Sequence, residues 1–467
     1  MDDIQSQLNK ALEECARIRD ENARLRKRLG MAPSNPPAAS LRQNKPSRLI
    51  TNDSPAEIKI KLFRSLFRGR EDVYAVRWEG KNGKSGYSPA CANEWNKKYC
   101  RKPKVKCSRC DNRELLSVTD EVVHDHLMGK QTIGVYPLLS DERTWFLSAD
   151  FDKASWQEDV GEFLATCTEM GIPAALERSR SGGGGHVWIF FQEPIPAIQA
   201  RRLGSVLLTH VMDRRHQIGL DSYDRLFPNQ DTMPKGGFGN LIALPLQRGP
   251  REKGNSLFLD RDLEPYSDQW EYLCRLKRVA LGQVDSIVNE AVRSGKVMGV
   301  RMSLTEQEGD QDPWESSPSG KRIEEPLDGH LPKKLCIVVG NMIYVEKQAL
   351  PPAMMNRLMR LAAFQNPEFY KAQAMRLSTF GKPRVISCSE DFPKHIGLPR
   401  GCWNDFLNLL NTHHIKEEVK DERFTGFPIN VVFRGELCPL QQEAVHALMP
   451  HDNGILSAAT AFGKTIV

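Results

Sequence analysis

The sequence predicts an α+β chain of two or three domains joined by linkers. Short apolar runs such as Trp145-Phe-Leu-Ser-Ala149 mix with helical stretches between residues 55 and 300. A length of 467 residues exceeds one ordinary core. A hydrophobic content of 40% is enough for globular folding. No apolar run reaches membrane-spanning length and no signal peptide precedes the polar start, so the reading is a cytoplasmic protein without a membrane partner.

The net charge of +6 is mildly basic and by itself weak evidence for nucleic acid. Its distribution says more. Lys97, Lys98, Arg101, Lys102, Lys104, Lys106, Arg109 and Arg113 crowd one cysteine-bearing segment, where they suit phosphate-backbone contact or form a solvated surface. Eleven cysteines in a chain this long do not suggest a disulfide framework.

Residues 1–30 carry a heptad seam: Leu8, Cys15, Asn22 and Leu29 at one core position, Ile4, Ala11, Ile18 and Leu25 at the other. An asparagine in such a seam fixes register, so a parallel homodimer through residues 4–29 is expected, with a single amphipathic helix as the alternative. Residues 31–54 are proline-rich and read as a flexible linker. A second linker, acidic and then Ser/Pro/Gly-rich, covers 301–330. Between them, 55–300 reads as one α+β domain. Residues 331–430 read as a mixed connector with a helix near 354–364, and 431–467 as a separate last unit.

Within the first domain, Cys91, Cys100, Cys107 and Cys110 give C-x8-C-x6-C-x2-C. The closing C-x2-C is knuckle spacing for tetrahedral zinc, so a structural zinc knuckle is expected at 87–113. The segment has few apolar residues and would otherwise lack a reason to fold. His124 and His126 follow closely; they replace one ligand or belong to the next helix. Trp95 and Tyr99 stack on bases or pack the knuckle.

Asp150 and Asp152 stand at i and i+2 after an apolar run, on one face of a strand end. Paired carboxylates there suit hard divalent cations. Four glycines in Ser181-Gly-Gly-Gly-Gly-His186 let backbone N–H groups approach a phosphate. Arg178 and Arg180 flank that loop and would neutralise a triphosphate, while Ser181 and His186 donate hydrogen bonds to it. A third segment, 221–231, offers Asp221, Asp224 or Asp231 as a further metal ligand, and chemistry alone does not choose among them.

This order, D-x-D, then Ser-Gly-x-His, then a later aspartate in Ser222-Tyr-Asp-Arg-Leu-Phe-Pro-Asn-Gln230, resembles the archaeo-eukaryotic primase superfamily. The resemblance implies an RRM-like catalytic core and two Mg2+ or Mn2+ ions on Asp150, Asp152 and Asp224. It also implies His186 with Ser181 as triphosphate contacts. The partners implied are nucleoside triphosphates and a single-stranded DNA template or primer-template. This sequence has two more glycines before the histidine than the shortest loops of that superfamily. The segment 126–138, the cysteine knuckle, Phe227-Pro-Asn-Gln-Asp231 and Gly239-Asn-Leu-Ile-Ala-Leu-Pro245 are similar to the primases of TOTE-type conflict systems, which pair a primase-polymerase with a helicase. The alternatives are a polymerase that only extends primers, as in end-joining repair, and a non-catalytic zinc module that binds nucleic acid.

The last unit ends Ile455-Leu-Ser-Ala-Ala-Thr-Ala-Phe-Gly-Lys-Thr465, a strand-like run and a phosphate-binding loop. Gly463 closes the loop, Lys464 would reach ATP phosphates and Thr465 would ligate magnesium. Leu437-Cys-Pro-Leu-Gln-Gln-Glu-Ala-Val445 looks like the adenine-reading motif of superfamily-two helicases, with Gln441 as reader. With no further motor motifs present, ATP is expected at this loop only in a longer parent chain, of which 431–467 is the RecA-like start.

Overall fold

The computed structural model describes residues 17, 49–80, 82–105, 107–294, 296–298, 300, 327 and 330–467. Apart from residue 17, the expected dimer helix lies outside them, as do almost all of both linkers. Residues Ile50–Val467 form one compact unit. Among the described residues no helix is long and apolar enough to cross a membrane.

Two antiparallel sheets organise the first part. The smaller joins β1 (Ala75–Glu79), β2 (Ser85–Pro89), β3 (Ile133–Val135) and β8 (Ile242–Ala243) in the order β2-β1-β3-β8. The larger joins β4 (Arg143–Phe151), β5 (Ala175–Arg178), β6 (Gly185–Pro196), β7 (Leu226–Phe227) and β9 (Phe258–Leu259) in the order β7-β4-β6-β5-β9. Both faces of the larger sheet are buried, which explains why β4 and β6 read as nearly continuous apolar runs. Leu147, Ala149, Phe151, Val187, Ile189 and Phe191 pack with residues of helices Trp156–Glu169, Ala197–Arg214 and Leu281–Arg293. The alternating set, Phe146, Trp188 and Phe190, packs with Ile60, Phe63 and Leu66 of helix Ala56–Leu66 and with Ile133, Val135 and Ile242 of the smaller sheet.

A third sheet holds β10 (Lys334–Val339), β11 (Ile343–Glu346), β14 (Glu390–Asp391), β15 (His395–Leu398) and β16 (Lys416–Asp421), in the order β14-β15-β11-β10-β16. It packs with helices Pro352–Leu361 and Trp403–Thr412 around its own core. A separate pair, β12 (Ala363–Gln365) with β13 (Val385–Ser387), brackets helix Pro367–Ala374. Ala363, Phe369, Tyr370 and Val385 join the core of the larger sheet. Arg360, on helix Pro352–Leu361, donates to the Met298 carbonyl and, at 3.1 Å, to the Tyr223 hydroxyl. The 331–430 region is thus fused to the α+β part through shared core residues and a buried arginine.

In the last unit, the expected adenine-reading motif falls on helix Pro439–Leu448. The strand-like run at 455–458 adopts no regular secondary structure, and Ile455 is 94% exposed. An isolated strand has no partner for its backbone groups, so pattern alone does not make one.

Candidate active site

Antiparallel pairing of β4 with β6 sets Asp150 directly opposite His186 and Phe151 opposite Gly185. On the other side of β4, Ala149 pairs with Leu226, and the Asp150 N–H donates to the Arg225 carbonyl at 3.0 Å. Three segments far apart in sequence therefore meet at one end of one sheet. Strand alternation turns Asp150 to the face opposite Phe151, which is buried against Phe163 with ring centroids 5.3 Å apart.

His186 sits between two carboxylates. Its Nδ1–H donates to Glu177 at 2.9 Å, and Nε2 lies 3.7 Å from Asp150. Glu177 is 2% exposed and also accepts from the Trp188 indole at 3.0 Å and the Ser256 hydroxyl at 3.3 Å. Burial works against the imidazolium, but the Glu177 carboxylate and then Asp150 outweigh it, and the pKa of His186 is raised. The sequence reading missed Glu177. Its signal is an acidic residue at an inward position, on the same face of β5 as buried Ala175.

Burial raises the pKa of Asp150, with His186 and Arg225 opposing and Asp152 and Glu177 reinforcing. Burial likewise raises that of Asp224, against the backbone N–H and charge of Arg384. That N–H donates to both Asp224 oxygens, at 2.9 and 3.1 Å. Arg225 links the acidic groups: its guanidinium bonds Asp152, lies 3.6 Å from Asp221 and acts electrostatically on Asp150 and Asp224.

The glycine loop closes through Ser179 N–H to the Gly184 carbonyl at 2.8 Å and Gly182 N–H to the Ser179 carbonyl at 3.0 Å. Ser181 is exposed at its tip, 3.2 Å from the Ser179 hydroxyl. Gly184 is required by close approach: a Cβ there would stand 2.5 Å from the Phe151 carbonyl oxygen and 3.1 Å from the Asp152 Cα. The loop and the carboxylate-bearing strand end are thus packed backbone to backbone.

Other expected site residues sit elsewhere. Arg178 gives its guanidinium to the Gly254 and Leu263 carbonyls, at 3.0 and 2.9 Å, and braces those loops. Arg180 lies within electrostatic reach of Tyr87 on β2. Asp221 pairs with Lys153 at 2.9 Å. Asp231 is buried in a two-pronged pair with Arg201 at 2.5 and 2.9 Å and accepts from Gln373 at 2.9 Å. Of the three aspartates in this segment, Asp224 is the one within reach of Arg225 that is also largely withdrawn from solvent.

Cys91, Cys100, Cys107 and Cys110 line one small cavity together with Glu94 and Lys102. Lys102 bonds Glu94 at 2.6 Å. His124 and His126 lie on helix Asp120–Leu127, where His126 bonds the Pro245 carbonyl and the Ile133 N–H. Burial holds the pKa of His126 down at about 4. Among the described residues no three His, Cys, Asp or Glu side chains converge tightly enough to form a ready metal cage. The residue types are those that metals take: four cysteines line one cavity, and Asp150 and Asp224 are carboxylates whose charge burial makes costly.

In the last unit, the Gln441 amide donates to the Phe462 carbonyl at 2.9 Å, and Lys464 donates to the Ala458 and Ala459 carbonyls at 3.0 and 3.1 Å. Gly463 adopts φ +83°, and Thr465 is exposed.

Residues 58–287 match the family model described as the archaeo-eukaryotic primase domain of the TOTE conflict system. The matched region spans the larger sheet, the glycine loop, the cysteine cavity and all three candidate aspartates of the carboxylate site. No curated protein matches the sequence. Among solved structures, the polymerase domain of Mycobacterium tuberculosis ligase D in complex with DNA aligns over 52% of this chain and 88% of its own, at 13% identity and a TM-score of 0.26.

Proposed function

We propose that this primase-type region is a nucleotidyltransferase that joins a nucleoside triphosphate to a 3′-hydroxyl on a nucleic-acid template, and that it acts as a primase-polymerase. The observation that carries the reading is the cross-strand pair Asp150 and His186, with Asp152 and the Asp224 segment at the same sheet end. Two divalent ions, Mg2+ or Mn2+, on Asp150, Asp152 and Asp224 would supply Lewis acidity to the attacking hydroxyl and the leaving pyrophosphate.

The chain's own residues have separate tasks. Glu177 fixes the proton on His186 Nδ1 and turns Nε2 toward the carboxylates, where it can donate to a phosphate oxygen. The exposed Ser181 hydroxyl at the tip of the glycine loop can donate to a phosphate, while the Gly182 and Gly183 N–H groups brace the loop itself. Arg225 offsets the repulsion among the aspartates and can follow charge as it moves onto the leaving phosphates. The test is template-directed incorporation of labelled nucleotide by the full chain with Mg2+ or Mn2+. Incorporation on a primed strand is expected, and synthesis on an unprimed strand separates a primase from an extending polymerase. No incorporation with either nucleotide class on any template contradicts the reading.

We propose further that Cys91, Cys100, Cys107 and Cys110 hold a structural zinc ion, a reading supported by their lining of one cavity. Residues 431–467 fit the start of a helicase ATP-binding domain, a reading supported by the bond between Gln441 and the phosphate loop at Phe462.

A further inference from the structure

The loop after helix Pro367–Ala374, residues 375–384, lies beyond the primase-matched region, yet it is tied to the segment that follows Asp224. Lys235 N–H donates to the Arg376 carbonyl at 2.9 Å, Gln230 donates to the Thr379 hydroxyl at 2.8 Å, and Thr232 donates to the Gln373 carbonyl at 3.0 Å. Arg384 closes the far end on Asp224 itself. The two segments enclose a cleft of about 680 Å³ that Asp224, Phe238, Lys235, Phe380, Lys382 and Arg109 help to line.

Phe380 is 96% exposed at the tip of a closed turn, held by Lys382 N–H to the Thr379 carbonyl at 3.0 Å and by Gly381 at φ +75°. A lone exposed ring is ordinary on a protein surface. This one borders a cleft that ends at a candidate catalytic carboxylate and carries three cationic side chains against that one acid; Lys382 also pairs with Glu368 at 2.5 Å. Across the cleft, Phe238 is stacked by Arg70 and Arg113, at 5.3 and 5.5 Å from its centroid. An open aromatic beside cations in a groove is the chemistry that holds a single polynucleotide strand: bases stack on the ring and phosphates meet the cations.

We propose that this cleft binds single-stranded nucleic acid, with Phe380 stacking on a base and Lys235, Lys382 and Arg109 contacting phosphates. The 331–430 region thereby supplies one wall of the strand path to Asp224. That the strand is template or primer rests on the proposed nucleotidyl transfer; the binding itself does not.

The experiment is fluorescence anisotropy of the full chain with labelled oligodeoxyuridylate and oligouridylate, which differ only in the 2′-hydroxyl, over a salt series. Phe380→Ala should weaken binding about tenfold at fixed salt, and Phe380→Trp should restore it. Lys235→Ala with Lys382→Ala should lower the salt slope by about 1.4, at roughly 0.7 per phosphate contact. A tenfold loss confined to one oligonucleotide assigns the sugar, and a loss on both makes the site sugar-indifferent. Phe380→Ala binding both oligonucleotides like wild type overturns the inference. Nucleotide incorporation by the wild-type chain is measured in parallel. Incorporation together with unaltered Phe380→Ala binding removes this site and keeps the function. No incorporation together with weakened Phe380→Ala binding keeps the site and removes the function.

Discussion

The Nδ1–H of His186 donates to the buried Glu177 carboxylate at 2.9 Å, so the imidazole presents its other nitrogen to Asp150. Glu177→Gln keeps the shape and loses the charge. It should lower the His186 pKa, read by imidazole NMR titration, and slow incorporation about tenfold with little change in strand affinity. A histidine whose folded pKa is raised adds stability that is complete below its unfolded pKa and disappears as pH rises through the folded one. The stability gap between wild type and Glu177→Gln, measured by urea unfolding, should therefore be widest in mildly acid solution and narrow as pH rises. A gap that widens with pH would refute this role.

Burial raises the pKa of Asp150, so its charge is a cost to the fold. For a carboxylate raised in this way, the native state favours the neutral form, and stability falls as pH rises from the unfolded to the folded pKa. Asp150→Asn removes that cost. Without added metal its Tm at neutral pH should exceed wild type by about 1–3 °C, and the difference should vanish in acid. Divalent ions should raise the Tm of wild type and not of the variant.

Asp224 and Asp231 stand seven residues apart, and the proposed function gives the first a catalytic role while the second is in a buried pair with Arg201. Asp231→Ala leaves Arg201 buried without its carboxylate and should cost about 3–5 kcal/mol in urea unfolding. Asp224→Asn should leave the unfolding midpoint nearly unchanged and abolish incorporation. The reverse pattern would exchange their assignments.

Gly184→Ala puts a methyl group 2.5 Å from the Phe151 carbonyl. The strand end carrying Asp152 must shift, and a displacement near 1 Å is worth about a hundredfold in rate. Incorporation should fall by about that factor in a protein that still melts cooperatively. Activity within a few-fold of wild type would mean that loop and strand end move independently.

The purified chain should carry one equivalent of zinc by metal analysis. Cys107→Ser should lower the zinc content and expose 87–113 to protease. Less than one equivalent, with no effect of Cys107→Ser, removes zinc from the account.

The placing of Asp150 was legible because strand alternation has a period of two: once Trp145–Ala149 reads as a strand, Asp150 falls on the face opposite Phe151, and Asp152 follows just past the strand end. The glycine loop was legible because its glycines precede a strongly apolar strand. Partners reached through space were not. Glu177 looks like an ordinary strand residue until β5 pairs with β6 and brings it opposite His186. Arg178 reads as a phosphate ligand until the Gly254 and Leu263 carbonyls, 76 and 85 residues away, take both ends of its guanidinium. Asp224 is held by a backbone N–H 160 residues away, a donor every residue but proline carries. The run at 455–458 has strand character, but among the described residues no strand pairs with it.

The most direct test is a comparison of wild type with the Asp150→Ala, Asp152→Ala double variant in Mg2+- or Mn2+-dependent nucleotide incorporation on a primed single strand. The account predicts incorporation by wild type and a loss of at least about a thousandfold in the double variant, with cooperative unfolding retained. Incorporation by the double variant at the wild-type rate would contradict it.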